Sequence, residues 1–378
     1  MLTRSHTVSN DNAPPSSPPS RRAPSLPSGE TQASVALGHG ETSLWRRLLT
    51  PRTLISFAVA AAILWFVVRR LDVDPAAILA QVRQANPLPL AVAFLLWYSA
   101  FFVRGWRWGR MIESAGAASA SDQRVPPVPE LARVILLAYF ANSLVPAKLG
   151  DAYRTYLLKR EGNVAYSAGF GTILAERIVD AMMLVVVLGG SAFLIFGRQM
   201  PSEARPALLL GGFVVAGGLV GLGLMWLTRD AIVRFLPERP RGIYARLQGA
   251  VFGALRRPAI VFGLGLLLWI GDGFRVWFVA RSLDAGISPA VAIFMAVMAA
   301  LLTIIPFTPA GLGVVELGVG SVLVGVLGVD PVIAGSIIVL DRVVTYWSLL
   351  LIGGGIYAWQ ARRDFQEEAS LAATPPPS

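Results

Sequence analysis

The chain has 378 residues, of which 54% are hydrophobic and only 15% are charged, whereas soluble domains carry about 25% charged residues. Cysteine is absent and the only histidines, His6 and His39, lie in a polar N-terminal tract, which excludes disulfides and thiolate or imidazole chemistry in the apolar body. We therefore expect no catalytic residue, no metal site and no cofactor. The net charge of +10 comes from arginines at the ends of apolar runs, a pattern that favours membrane anchoring over nucleic-acid binding.

The chain order predicts a membrane domain between two polar tails. Residues 1–44 are rich in Pro and Ser and are expected to be a disordered cytoplasmic tail, residues 45–360 to be the transmembrane domain, and residues 361–378 to be a second cytoplasmic tail. Six apolar runs are long enough to predict full spans. These are Thr53–Val68, Leu88–Val103, Val179–Phe196, Ala207–Leu227, Ala259–Ala280 and Val332–Tyr357. The connector Asp74–Asn86 has mixed polarity.

Two further apolar regions are interrupted by proline and glycine. Val134–Pro146 is too short to cross a bilayer and ends in the break Pro146–Gly150. Val291–Ile305 runs into a second break, Pro306–Gly313, and the apolar sequence then resumes. Backbone groups freed by such breaks need partners at membrane depth, so they predict broken or re-entrant helices within an all-α integral membrane protein.

The two breaks resemble each other. Pro146-Ala-Lys-Leu-Gly150 matches Pro309-Ala-Gly-Leu-Gly313 at four of five positions, with an offset of 163 residues. An acidic residue follows each break, and a later pair of similar segments places Arg177 and Arg342 at an offset of 165 residues. Two matches in the same order predict an internal repeat, with units at about 128–197 and 288–357.

The distribution of arginine predicts the topology. The loop Thr228–Pro258 carries seven arginines against two acidic residues, which places it in the cytoplasm. Counting spans from this loop puts both termini in the cytoplasm and residues 197–206 outside, and treats the Arg104–Arg110 group as the cytoplasmic end of its span. The span count agrees with two cytoplasmic termini only if the first broken segment enters and leaves the membrane on the cytoplasmic side and the second on the outside. The two units would then be an inverted repeat in the cell (inner) membrane.

Charged residues at membrane depth are costly, so each is expected to face a partner or a cavity. Arg177 and Asp180 are three residues apart and can share a helix face, and Glu176 and Asp180 are four apart, so Arg177 can pair with two carboxylates. Asp272 and Arg275 have the same spacing but lie outside both repeat units. These charges are either structural ion pairs or part of a substrate site, where free N–H groups of broken helices and arginine forks would suit a phosphate.

The combined motifs carry a family resemblance. They are Asn142-x-x-x-Pro146-x-x-x-Gly150-Asp151-x-x-Arg154, Glu176-Arg177-x-x-Asp180, Pro306-x-x-Pro309-x-Gly311-x-Gly313-x-x-Glu316 and Arg342-x-x-Thr345-Tyr346. Over roughly residues 45–360 the chain resembles the flippase-like integral membrane family, also known as the transmembrane region of lysylphosphatidylglycerol synthases. Asp151 stands where that family more often has Glu, and Ala310 where it often has Gly. No soluble aminoacyl-transferase domain follows Arg363, so the resemblance implies a stand-alone, lipid-translocating member.

The leading hypothesis is a translocator of an anionic phospholipid or a lipid-linked head group, whose partners are membrane lipids and not nucleic acid. Arg177 and Arg342 would bind phosphate, and carboxylates would hold these arginines or neutralise a cationic head group. The candidate substrate-binding residues are Asn142, Pro146, Gly150, Asp151, Arg154, Glu176, Arg177, Asp180, Pro309, Gly311, Gly313, Glu316, Asp341, Arg342 and Tyr346. The alternatives are an intramembrane lipid-modifying enzyme, and a non-catalytic membrane partner of a glycosyltransferase or lipid synthase.

Overall fold

The computed structural model describes Ala62 and residues 74–118, 121–144, 150–198, 205–228, 237–303 and 309–373. The N-terminal tail, nearly all of the first predicted span Thr53–Val68, and Pro146 lie outside these ranges. Within them the chain is entirely helical and contains no strand, so the predicted all-α fold class is confirmed.

The helices follow the apolar runs of the sequence, and we number them in chain order. They are α1 Pro75–Arg83, α2 Pro87–Ala115, α3 Val128–Leu144, α4 Gly150–Gly162, α5 Tyr166–Phe196, α6 Arg205–Leu227, α7 Glu238–Ala254, α8 Pro258–Ser282, α9 Pro289–Leu302, α10 Val314–Ser321, α11 Pro331–Arg342 and α12 Ser348–Ala373. A single 3-10 turn, Pro309–Gly311, precedes α10. Two π-helical segments, Val322–Val326 and Val343–Trp347, follow α10 and α11.

Among the described residues, five stretches are long and apolar enough to span a membrane: Pro87–Ala115, Tyr166–Phe196, Leu209–Leu227, Pro258–Ser282 and Pro331–Asp364. They confirm five of the six predicted spans, while the first predicted span stays untested. The connector before α2 was not expected to be regular. It forms α1 because Asp74 caps the helix by accepting a hydrogen bond from the Ala76 N–H and because Pro75 occupies the first turn.

Two contacts distant in sequence fix which helix ends lie on the same side of the bundle. The Asn86 N–H, at the start of α2, donates to the Ser282 carbonyl at the end of α8 (2.7 Å). On the other side, Arg160 of α4 forms two 2.7 Å hydrogen bonds to the carboxylate of Asp364 on α12. α4 ends on the side with Arg160 and Asp364, α5 crosses the bundle, and α6 crosses back, so α7 also lies on this side. We therefore call it the α7 side.

The first broken segment is a hairpin that opens on the α7 side. Its helices are α3 and α4, and its two ends are tied together: the Arg124 N–H donates to the Gly162 carbonyl (3.0 Å), and Arg133 pairs with Glu161 (2.6 Å). We call α3 and α4 the first hairpin. Both of its ends lie on one face, as a re-entrant segment requires.

The second hairpin, α9 and α10 with the π-segment Val322–Val326, opens on the opposite side. It begins just after α8 ends at Ser282, and the short linker 327–330 joins its end to the start of α11. From there α11 and α12 cross to Asp364 on the α7 side. The two hairpins therefore enter from opposite sides, the relation that the sequence predicts for an inverted repeat.

The helix contacts follow the pattern expected of two units related by a two-fold axis, in which each contact in one unit has a counterpart in the other. α3, the first helix of the first hairpin, packs against α2 and α12. Its counterpart α9 packs against α8 and α5, and α2 packs against α8. The hairpins also meet in the interior, because α3 contacts the turn Pro309–Gly311. Close by, the Tyr346 hydroxyl donates to the Ser143 carbonyl (3.3 Å). The second break thus lies against the first hairpin.

Candidate functional site

Twelve charged side chains in the helical body form what we call the ion-pair network. It contains six arginines and six carboxylates, and each of them has a partner within 4 Å. The arginines are Arg104, Arg107, Arg154, Arg177, Arg275 and Arg342, and the carboxylates are Asp151, Glu176, Asp180, Asp272, Glu316 and Asp341. At membrane depth such mutual neutralisation lowers the cost of burying each charge.

Glu176 is the centre of the first part of the network. Its carboxylate accepts hydrogen bonds from Arg107 Nη2 (3.0 Å) and Arg154 Nη2 (2.7 Å). Arg107 also donates from Nη1 to Asp180 (2.7 Å). The Arg154 guanidinium lies over the Trp108 ring, 3.7 Å from its centroid, in a cation–π contact. These groups, Asp180 excepted, are covered almost completely by protein and hold α2, α4 and α5 together.

The second part of the network joins α2, α8 and α11. Arg104 Nη2 donates to Asp272 (2.9 Å), and Arg275 lies between Asp272 and Asp341. The Arg275–Asp272 contact, at 3.9 Å, is the long one, so the predicted i,i+3 pair is secondary to the Arg275–Asp341 hydrogen bond. Arg275, which the sequence placed outside both repeat units, thus binds directly to the second unit.

Two ion pairs occupy corresponding positions in the two predicted repeat units. Arg177 binds both oxygens of Asp151, from Nη2 at 2.7 Å and from Nε at 3.1 Å. Arg342 donates from Nε to Glu316 at 2.6 Å. In each pair the carboxylate stands 26 residues before the arginine and belongs to the helix that follows the break. The two pairs are therefore equivalent positions of the two units.

The matched pairs differ in how far protein covers them. The side chains of Arg177 and Asp151 are 42% and 23% exposed, whereas those of Arg342 and Glu316 are only 16% and 7% exposed. Arg342 is held further by donating to the Ala310 carbonyl (3.3 Å). The Asp151–Arg177 pair is therefore the more accessible of the two, and Arg177 is the most exposed arginine of the network in this conformation.

Two backbone N–H groups at the breaks, those of Gly150 and Gly313, already have acceptors within the protein and are not free to donate to a head group in this conformation. The Gly150 N–H donates to the Asn142 side-chain oxygen (2.7 Å), and the Gly313 N–H donates to Glu316 (2.6 Å). Asn142 and Glu316 thus cap the helices after the breaks. Gly313 has φ +86°, which favours glycine, and this explains its place in the motif.

The predicted pairing of Arg177 with Glu176 and Asp180 is also wrong. Those two carboxylates face α2, where they bind Arg107, whereas Arg177 points toward the first turn of α4. Adjacent residues on a helix diverge by about 100°, so Glu176 and Arg177 cannot both face the same partner.

Two arginines of the network were missed as candidate residues. The sequence placed Arg104 and Arg107 at the cytoplasmic end of their span, and in the structure they are only 7% and 1% exposed and bind carboxylates of α8 and α5. Their three-residue spacing inside an aromatic helix is a signal for a shared buried face. Trp108 of the same helix is fully buried and donates from Nε1 to Thr172 (3.1 Å).

The remaining candidate residues lie at or beside the breaks. Pro309 and Gly311 form the 3-10 turn that α3 contacts, and Gly311 has φ +68°. Tyr346 lies in the π-segment just after Arg342 and reaches the first hairpin. Pro146 falls in 145–149, outside the described ranges. In the part of the chain that the structure describes, no group of three or more acidic or imidazole side chains is placed to hold a metal ion.

The network also contains buried N–H donors that no acceptor of the described protein satisfies. These are Arg104 Nη1, Arg107 Nε, Arg154 Nε, Arg275 Nε and Arg342 Nη2. Buried donors of this kind are uncommon in folded proteins. Oxyanions accept several such hydrogen bonds at once, and guanidinium groups bind phosphate through parallel N–H donors. In this conformation the five donors are covered by protein.

Comparison with known proteins agrees with these features. Residues 53–353 match the model of the lysylphosphatidylglycerol synthase TM region. A UPF0104 membrane protein of Methanocaldococcus jannaschii is 32% identical over 57% of this chain and 91% of its own length. Another, of Methanothermobacter thermautotrophicus, is 25% identical over 82% of this chain and 93% of its own length. Glycosyltransferase AglD of Haloferax volcanii is 24% identical over 87% of this chain, which spans 59% of that protein.

The family match covers most of the chain and includes both hairpins and every residue of the ion-pair network. It agrees with the multi-pass helical fold and with the resemblance carried by the motifs at the two breaks. The chain is thus a multi-pass membrane protein that belongs to the family of the lysylphosphatidylglycerol synthase transmembrane region.

Proposed function

We propose that this protein translocates a lipid whose head group carries a phosphate anion, and that Arg177 and Arg342 bind the phosphate in turn. The observation that carries the proposal is the pair of equivalent arginine–carboxylate contacts, one accessible and one covered. A site that serves both sides of a membrane needs one state that is open to each side. In inverted-repeat transporters the protein passes between these two states when one unit moves against the other.

The ion-pair network supports binding of an anionic group at membrane depth. Moving a charged head group through the hydrocarbon core of the bilayer costs free energy, so a translocator must supply opposite charges along the path of the head group. The network supplies arginines on both repeat units, together with buried N–H donors that lack acceptors. The Asp151–Arg177 pair lies in the first unit, which would open to the cytoplasm if both termini are cytoplasmic in the cell membrane.

The test is lipid movement by purified protein in vesicles. Acyl-labelled phospholipids should become accessible to an impermeant quencher faster in vesicles with wild-type protein than in empty vesicles. Arg177→Gln should abolish this gain, because it removes the accessible guanidinium, while thermal stability in detergent changes little. Arg110→Gln is the matched control, since Arg110 forms an exposed pair with Glu113 outside the network. Equal loss of transport in both variants would contradict the role of Arg177.

A second candidate follows from one relative. AglD is named a glycosyltransferase, and this chain is similar to 59% of its length. The membrane domain could therefore serve as a non-catalytic partner of a glycosyltransferase acting on a lipid-linked sugar. If purified protein moves no phospholipid in vesicles, this candidate becomes the leading one.

A further inference from the structure

The charge balance of the ion-pair network bears on which head group it can accept. Six arginines face six carboxylates, so the network as described has no net charge. Each carboxylate is bound to at least one arginine, and each arginine to at least one carboxylate. A ligand that adds a net negative charge would leave the network with one anion in excess at membrane depth, where uncompensated charge is disfavoured.

The Asp151–Arg177 pair shows where that excess would fall. Arg177 binds Asp151 through Nε and Nη2, which leaves the Nη1–Nη2 edge of the same guanidinium for a phosphate. Asp151 lies in the first turn of α4, where the helix dipole favours a negative charge. With a phosphate on the free edge, Arg177 is shared by two anions, and a second cation beside Asp151 restores the balance.

We infer that the lipid head group is zwitterionic, with a phosphate that binds Arg177 and an ammonium that binds Asp151. This inference rests on the proposed translocation and narrows its substrate to lipids of the phosphoethanolamine type. Binding adds one cation and one anion and leaves the net charge of the network unchanged. A primary ammonium donates N–H groups to the Asp151 oxygens, which keep lone pairs beyond those that accept from Arg177.

The same argument predicts a reversal of specificity when Asp151 loses its charge. In Asp151→Asn the network has one cation in excess, so a singly anionic head group restores neutrality and an ammonium has no carboxylate to bind. The substituted amide keeps nearly the size of the carboxylate, and the pair is partly exposed, so the fold should be retained. A switch of lipid preference is a readout that loss of a purely structural ion pair would not give.

The experiment compares acyl-labelled phosphatidylethanolamine with acyl-labelled phosphatidylglycerol in otherwise identical vesicles. Wild-type protein should move the first at least tenfold faster than the second, which corresponds to about 1.4 kcal/mol. Asp151→Asn should move phosphatidylglycerol faster than phosphatidylethanolamine. Glu113→Gln, which neutralises an exposed carboxylate outside the network, should keep the wild-type preference. Melting temperatures in detergent confirm that both variants are folded.

Each alternative result identifies what has failed. Wild-type protein that moves phosphatidylglycerol as fast as phosphatidylethanolamine would overturn the zwitterionic head group and leave translocation intact. An Asp151→Asn variant with the wild-type lipid preference would overturn the binding of the ammonium group by Asp151. Wild-type protein that moves neither lipid would overturn the proposed function, and the inference with it.

Discussion

At the scale of single residues, the sequence identified ten of the twelve network members but paired Arg177 wrongly. Spacing along one helix predicts which side chains can share a face, and it therefore favoured contacts within α5. The actual partners come from other helices: Glu176 binds Arg107 of α2, and Arg177 binds Asp151 of α4. Only packing brings these groups together, so no local pattern could have ranked these contacts.

The two carboxylates Glu176 and Asp151 should respond very differently to neutralisation. Glu176→Gln leaves the buried Arg154 without a counter-charge and Arg107 with Asp180 alone, which should cost about 3–5 kcal/mol. Asp151→Asn breaks a pair that is partly exposed and should cost about 1 kcal/mol or less. Thermal unfolding in detergent would show a large fall in the melting temperature for the first variant and a small one for the second. Equal falls would contradict the division of the network into a structural core and an accessible pair.

At the scale of helices, the sequence located the spans and breaks well because apolar length and proline–glycine clusters are local signals. It did not reveal what the glycines do. A Cβ on Gly150 would collide with the Ala138 carbonyl oxygen and would lie 2.7 Å from the Asn142 side chain. Gly150 therefore allows α3 and α4 to approach closely, which is a tertiary property that the motif alone cannot show.

Gly150→Ala should consequently destabilise the first hairpin. The added methyl group must push α4 away from α3 and weaken the hydrogen bond from the Gly150 N–H to Asn142. Overpacking of this kind costs about 1–3 kcal/mol, and the rigid backbone contact places this site at the upper end. Gly355→Ala in α12 is the control, since nothing lies within 4 Å of its Cβ position. A melting temperature for Gly150→Ala as high as that of the control would contradict the close approach.

At the scale of the whole molecule, the topology followed from arginine counts and parity, and two contacts distant in sequence now support its internal consistency. Asn86 with Ser282, and Arg160 with Asp364, each join ends that the span count places on the same side. Arg104 and Arg107 are in the network and not at the surface, so they carry little weight as a topology signal. The count does not depend on them, because it starts from the loop around α7, which carries seven arginines against two acidic residues.

The Arg160–Asp364 contact offers a test of movement between the two units, because it joins the first hairpin to α12. The chain contains no cysteine, so Arg160→Cys with Asp364→Cys can be bridged cleanly by a cleavable bifunctional thiol reagent. If transport requires the units to move against each other, the bridge should stop it, and reduction should restore it. The control is Arg133→Cys with Glu161→Cys, a bridge within the first hairpin that ties the two ends of one unit. That bridge should leave transport near its unbridged rate, since α3 and α4 would move together. Full transport with the Arg160–Asp364 bridge in place would rule out relative movement of the units at this face.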